Sequence, residues 1–190
     1  MRKLVYFVAS TIDGFIAAPD GSWEFMGVPE DVVAFMTGQY PETVPTHVRA
    51  ALGIGDLPNR VFDTVVMGRN TYEPALKEGI TSPYAHLRQI VFSRALTGSP
   101  DRSVQIVAED PVAFVGKLKR EPGSDIWLAG GGDLAGQLHS EIDELVLKVN
   151  PIVAGDGVRL AAHGFDPRRF TLVDATPLVS GVVVLHYRAL

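Results

Sequence analysis

Residues Ile126 to Ser140, IWLAGGGDLAGQLHS, carry an apolar run into three consecutive glycines and then into a short helix-like stretch. A junction of strand, glycine and helix suits an anion: the chain can approach closely where no Cβ intervenes, and the first N–H groups of the helix, with the positive end of its dipole, face the charge. Gly130, Gly131, Gly132, Asp133 and Leu134 are the candidate ligands of that anion. A tight turn with positive φ would need fewer glycines. Gly130, Gly132 and Ala135 also satisfy G-x-G-x-x-A, the dinucleotide fingerprint of a first βα unit. Here the motif follows the fifth strand-like run, and Asn150 and Pro151 stand where the acidic ribose ligand belongs, so a Rossmann-type reading does not fit.

Outward from this junction, short apolar runs rich in β-formers and bounded by turn residues recur along the chain. They span Leu4 to Ala9, Val61 to Met67, Gln89 to Phe92, Val104 to Ala108 and Asp125 to Ala129, followed by Leu145 to Val149, Phe170 to Asp174 and Val182 to Tyr187. Helical stretches are predicted over Pro29 to Tyr40 with Pro29 near N1, Asn70 to Lys77, Pro111 to Arg120 behind an Asp110 N-cap, and Gly132 to Ser140. Alternation of the two predicts one α/β domain over 1–190, a sandwich whose central sheet is mostly parallel and eight-stranded. The helix-free end from Phe170 to Leu190 predicts an antiparallel hairpin at one edge.

The 190 residues are 46% hydrophobic and 21% charged, the balance of a chain that buries a core and not of a disordered tail. No apolar run approaches the roughly 18–20 residues that cross a bilayer, and the N-terminus has only a short one before Asp13, so no membrane partner and no export signal is expected. The absence of cysteine excludes disulfides and thiolate zinc sites and fits a reducing, cytoplasmic setting. His47, His86, His139, His163 and His186 form no i, i+4 pair, so no metal ligand is assigned. A net charge of −5 argues against a nucleic-acid partner and for a small molecule.

Three further motifs end predicted strands. VVMGRNTYE (Val65 to Glu73) closes a buried strand at Gly68, Arg69, Asn70 and Thr71 and opens a helix that Asn70 or Thr71 can cap, a second anion cradle beside a guanidinium. VFSR (Val91 to Arg94) ends in Ser93 and Arg94. Each basic strand end alone is an ordinary solvated terminus; in a parallel sheet they share one rim with the glycine loop, where ligands gather. Two planar guanidinium forks there suit phosphate oxygens better than a ribose hydroxyl. Beyond the first strand, ASTIDGFIA (Ala9 to Ala17) and PDGSW (Pro19 to Trp23) place two Asp-Gly turns in a loop across the same sheet end.

Taken in order, these motifs resemble the dihydrofolate reductase-like superfamily, and more closely the reductase domain at the C-terminus of the bacterial bifunctional riboflavin-biosynthesis deaminase-reductase. The resemblance runs from about residue 3 to 188. It is carried by Ser10 to Ala17, MGRNTYE (Met67 to Glu73), Phe92 to Arg94, Gly130 to Leu134, Asp143 to Leu145, Pro151 and Gly155 to Gly157. It implies NADPH bound in extended form: Gly68, Arg69, Asn70 and Thr71 at the adenine-side phosphates, Ser93 and Arg94 near the 2′-phosphate, and Gly131 to Leu134 at the pyrophosphate. Ala9, Ile16 and Ala17 would then line the nicotinamide, and the protein would supply orientation, dryness and one proton.

For that proton the resemblance leaves two carboxylates open. The riboflavin-type pattern places Asp13 against the substrate, whereas the folate-type pattern, matched by VPEDVVAF (Val28 to Phe35), puts Asp31 there. Either would need a raised pKa beside an apolar pocket. Ser10, Trp23 and Glu144 are further substrate-side candidates, and Gln39 to Asn59, which matches no pattern, is expected to shape the substrate side. These 190 residues hold no deaminase segment with zinc-ligand Cys and His residues, so the chain is not expected to be the bifunctional enzyme. The resemblance implies an NADPH-dependent reductase of a small nitrogen heterocycle or ribosylamino-pyrimidine. Folate or pterin reduction and a non-catalytic NADPH-binding module are the alternatives. It also implies a homodimer, to which Val182 to Leu185 could contribute as an exposed edge.

Overall fold

The run LVYFVAST forms strand β1 (Leu4–Thr11) in the middle of the sheet, because both of its faces carry side chains that water disfavours. β1 pairs in parallel with β6 (Asp125–Gly130) and with β7 (Glu144–Asn150), so that Tyr6 lies opposite Leu128 on one side and Leu145 on the other. Beyond β6 the computed structural model, which describes residues 1–190, continues in parallel through β3 (Phe62–Gly68), β4 (Arg88–Phe92) and β5 (Val104–Val107). Beyond β7 come two antiparallel strands, β10 (Val183–Ala189) and then β9 (Phe170–Pro177). The eight-stranded order is β5-β4-β3-β6-β1-β7-β10-β9.

Alternation along the strands divides the core in two. On one face Leu4, Tyr6, Val66, Ile90, Ile126 and Leu128 pack against Val115 and Leu118 of α4 (Pro111–Leu118) and Leu134 of α5 (Gly132–Gln137). On the other, Phe7, Val65, Met67, Val91, Trp127 and Val184 meet Tyr72 of α3 (Arg69–Lys77) and Phe35 and Met36 of α1 (Glu30–Gln39). Each such side chain removed from water contributes about 1.5–3 kcal/mol. The result is the expected α/β sandwich in three layers, with the hairpin at its edge. No helix is long and apolar enough to cross a membrane.

Local differences from the sequence reading have physical causes. Asp110 does cap α4, its Oδ1 accepting the Ala113 N–H at 2.8 Å. Neither Asn70 nor Thr71 caps α3: β3 passes into the helix without a connecting residue, so Gly68 holds the N-cap and both side chains lie in the first turn. Pro29 sits at the N-cap of α1 instead of N1, and the predicted helix from Gly132 to Ser140 ends at Gln137, with a 3₁₀ turn over His139–Glu141. Val182 to Leu185 is not an edge, because β10 is flanked by β7 and β9, and β9 is the outer strand. Several short elements went unread: the antiparallel strands β2 (Phe15–Ala17) and β8 (Val158–Arg159), the one-turn helix α2 (Thr46–Arg49), and 3₁₀ turns at Glu24–Met26 and Pro41–Thr43.

Candidate functional site

All six parallel strands end on the same side, and their carboxyl ends open into one cavity of about 1380 Å³. Pockets for a single drug-sized ligand measure about 300–1,000 Å³, so there is room here for a larger ligand or for two. At one end the wall is Ala9 of β1, Ile16 and Ala17 of β2, and Trp23 of the following loop. At the other it is Gly68, Arg69, Asn70 and Thr71 where β3 enters α3, with Ser93 and Arg94 after β4. Gly131, Gly132, Asp133 and Leu134 lie between them.

The consecutive glycines do different jobs. Gly130 has φ +127, a backbone region that side chains avoid, and the Gly130–Gly131 peptide is cis. Gly131 is extended, and a Cβ there would lie 3.6 Å from Thr71 Oγ1, projecting into the gap between the loop and α3. Gly132 is required by packing: a Cβ would overlap the Arg159 carbonyl oxygen, while the Gly132 carbonyl accepts the Ala162 N–H at 3.0 Å. Of the three, Gly131 is the one whose missing side chain leaves cavity space, and Gly130 does not line the cavity.

The cationic rim is unevenly committed. Arg69 Nε lies 3.6 Å from Glu73 Oε1, one helical turn on, with both side chains partly exposed. Arg94 is exposed and without an ion-pair partner, and Lys77, at the far end of α3 from Arg69, also lines the cavity. Ser93 is buried, and its Oγ accepts the N–H groups of Ala95 at 3.1 Å and Leu96 at 3.0 Å, which leaves only its O–H to offer a ligand.

The two expected proton donors are placed otherwise. Asp13 is outside the cavity wall: it accepts from Thr11 Oγ1 at 2.6 Å, Ala154 N at 3.0 Å and Gly155 N at 2.7 Å, and these bonds hold its carboxyl down at about 2. This corrects the expectation of a raised acid, since every partner stabilises the charged form. Asp31, in the first turn of α1, turns to the β9–β10 turn, where Oδ2 accepts the Ser180 N–H at 2.7 Å and lowers the carboxyl pKa. Its neighbours Val32 and Val33 line the cavity and Asp31 does not.

Ser10 and Glu144 are corrected too. Ser10 is buried and its side chain takes no part in the wall, while its carbonyl accepts Asn150 Nδ2 at 3.2 Å. Glu144 begins β7 and is therefore at the opposite end of the sheet. Burial alone would raise its pKa, but Lys3 at 3.0 Å, His186 at 2.9 Å and Arg188 at 3.1 Å outweigh that and lower it.

Further wall residues were not singled out one by one from the sequence. Thr43, Val44, Pro45, Val48 and Leu52, from the segment expected to shape the substrate side, do line the cavity. So do Tyr84, whose burial pushes its phenol up to about 12, and Lys148 and Asn150 of β7. Lys148 Nζ sits 4.4 Å from the Phe7 ring centroid and 3.6 Å from Met36 Sδ, and burial brings it down to about 8. The sole hint of Lys148 in the sequence is a cation inside the apolar run ELVLKVN.

Comparison with known proteins agrees with this architecture. The Bacillus subtilis (strain 168) protein YwjB, itself uncharacterised, is 32% identical over 192 residues, covering 98% of this chain and 97% of its own. A crystal structure from Shewanella sp. PV-4, provisionally named a riboflavin biosynthesis protein, superposes with a TM-score of 0.72 at 26% identity, covering 100% of this chain and 99% of its own. Dihydrofolate reductase from Enterococcus faecalis, solved with NADP(H), shares the fold with a TM-score of 0.69 at 14% identity, covering 98% of this chain and 96% of its own. Residues 2–184, nearly the whole chain, match the RibD C-terminal domain, and the protein belongs to that family.

Proposed function

We propose that the chain is an NADPH-dependent reductase of a small nitrogen heterocycle or ribosylamino-pyrimidine, with 5-amino-6-(5-phosphoribosylamino)uracil as the reference substrate. One observation carries the reading: a single cavity is lined by Gly131, Thr71 and an unpaired Arg94 as well as by the apolar residues Ala9, Ile16 and Ala17. Gly131, which lines the cavity without a Cβ, would let a pyrophosphate approach the backbone beside Thr71. Arg69, Asn70 and Thr71 would hold the adenine-side phosphates with the open N–H groups of the α3 first turn, and Ser93 and Arg94 the 2′-phosphate. Gly132, Asp133 and Leu134 would complete the pyrophosphate side.

A reduced nicotinamide supplies the hydride when bound, and the chain orients it and keeps water out. Ala9, Ile16, Ala17 and Trp23 would form that dry end. Asp31, bonded to Ser180, gives no carboxylate to the cavity, which weighs against a folate-type proton path. A homodimer in the cytoplasm completes the proposal, and light scattering on the purified protein tests its oligomeric part.

Titration with NADPH and NADH tests the cofactor. NADPH should bind the tighter by tenfold or more, since a 2′-phosphate contact contributes about 1.5–3 kcal/mol per charged hydrogen bond. Loss of NADPH absorbance on adding the uracil intermediate or 7,8-dihydrofolate then separates the two substrate classes, and NADPH binding with no oxidation would favour a non-catalytic module. Failure to bind either dinucleotide would sink the reading.

A further inference from the structure

Lys148 stands out by what surrounds it. It occupies the face of β7 that carries Val146 and Asn150, opposite Ala9 of β1 and Val184 of β10, both apolar. Above it α1 contributes Met36, whose thioether, 3.6 Å from Nζ, is a weak acceptor, and the Phe7 ring takes part of the charge at 4.4 Å. An ammonium has three N–H donors, and one held from bulk water without acceptors is costly. The side chain is half-buried, and the space left to it is the cavity, at the end walled by Ala9.

No charged group satisfies it from the packed elements. On α1 the nearest acid in sequence, Asp31, is bonded to Ser180; on β10 His186 is bonded to Glu144, which itself belongs to the far end of β7; β1 offers only Phe7 and Ala9. Across the cavity Asp20 belongs to the loop before Trp23, and Arg69, Glu73, Arg94, Glu109 and Asp133 belong to the opposite wall. A compound bound in the cavity can therefore offer Lys148 the acceptor that the protein does not.

We propose that Lys148 is the substrate-side acid of this site, recognising a small planar compound through the heteroatom of a polarised C=N or C=O bond and protonating that heteroatom as the bond is reduced. This rests on the reductase reading above. The substrate carbon gains a hydride from the reduced nicotinamide, with both electrons of the broken C–H bond. The π pair moves to the heteroatom, an Nζ–H bond breaks as the heteroatom–H bond forms, and oxidised nicotinamide and a neutral amine remain. Solvent water returns the proton to the amine. A cation that releases its proton near neutral pH is matched to that work.

Lysine methylation with ¹³C-formaldehyde, read by NMR, tests the proposal without turnover. The Lys148 signal, assigned by its loss in Lys148→Met, should titrate with a midpoint at about 8 and shift when uracil, as a ring-carbonyl probe, is added to NADPH-saturated protein. Lys148→Met should weaken uracil binding about tenfold, the effect of losing one charged hydrogen bond, while NADPH affinity stays within about twofold. Lys148→Arg, which keeps the charge, should retain most of the uracil affinity and guards against a folding defect. A midpoint near the ordinary lysine value of roughly 10.4, or a signal that uracil leaves unmoved, overturns the role. Failure of the wild type to bind NADPH, with Lys148 still titrating low and responding to uracil, would instead overturn the cofactor reading.

Discussion

The Asp13 carboxylate accepts the Gly155 N–H at 2.7 Å, tying the turn after β1 to the loop that precedes β8. With Thr11 and Ala154 also donating to it, Asp13 is a loop anchor whose charged form the fold prefers. A depressed folded-state pKa makes its contribution complete above the unfolded value, near 3.8, and lost as pH falls toward about 2. Asp13→Asn is expected to lower Tm by a few degrees at pH 7 and by less at pH 3. It should change kcat by less than about tenfold, where loss of a proton donor costs about 10²–10⁴. A larger kcat loss at unchanged Tm would return Asp13 to the chemistry.

Gly131 and Gly132 are adjacent in the chain and should respond oppositely. Gly132→Ala forces a methyl group onto the Arg159 carbonyl and is expected to cost about 1–3 kcal/mol, as overpacking does. For a domain of this size that lowers Tm by roughly 3–10 °C. Gly131→Ala meets only Thr71 Oγ1, at 3.6 Å, and should leave Tm within about 1–2 °C, in keeping with a change away from packed contacts. Gly131→Val, filling the gap, should abolish NADPH binding while the apo protein melts normally. Differential scanning fluorimetry with and without NADPH separates the two roles.

The parallel core was legible because Val65, Val66, Ile90 and Val91 are buried on both faces and need no partner beyond a neighbouring strand and a helix. The segment from Gln39 to Asn59 was not, because polar groups with distant backbone partners organise it. Buried Glu42 accepts the N–H groups of Val61 and Phe62 at 2.7 Å, and Arg49 donates to the carbonyls of Pro41 and Leu57 at 2.6 Å. No periodicity announces such bonds. The rim motifs were legible for the opposite reason: Gly68 to Thr71 and Ser93 to Arg94 follow strands directly, so strand ends fixed their position. Which way Asp13 and Asp31 turn depended on loops far away in sequence, at 154–155 and 180, and Lys148 was hidden inside a strand.

Glu144, with Lys3, His186 and Arg188 around it, belongs to stability. At the end of the sheet away from the cavity, its buried carboxylate joins Lys3, His186 and Arg188. Glu144→Gln should destabilise the fold by about 1–3 kcal/mol, since it leaves Lys3 and Arg188 without their counter-charge. Its lowered pKa means that this contribution is present above the unfolded value, near 4.5, and fades in acid, so the gap between wild type and variant should narrow below about pH 4. NADPH affinity should not change, and a change would show that the two ends of the sheet communicate.

Arg94 should matter more than Arg69 for discrimination between dinucleotides. Arg69 shares its charge with Glu73 at 3.6 Å, whereas Arg94 has no competing carboxylate to leave before it meets a phosphate. Arg94→Ala is expected to weaken NADPH about 10- to 100-fold, the loss of a charged hydrogen bond, with NADH affected by less than about threefold. Arg69→Ala should cost NADPH less, and Glu73→Gln, by freeing Arg69, should strengthen both dinucleotides by a small factor. Because these guanidinium groups are exposed, the NADPH preference should shrink as salt rises from 0.05 to 0.5 M, where the Debye length falls below about 5 Å. Calorimetry of the three variants at both salt concentrations decides it. Equal losses of NADPH and NADH in Arg94→Ala would move that arginine from the 2′-phosphate to the pyrophosphate.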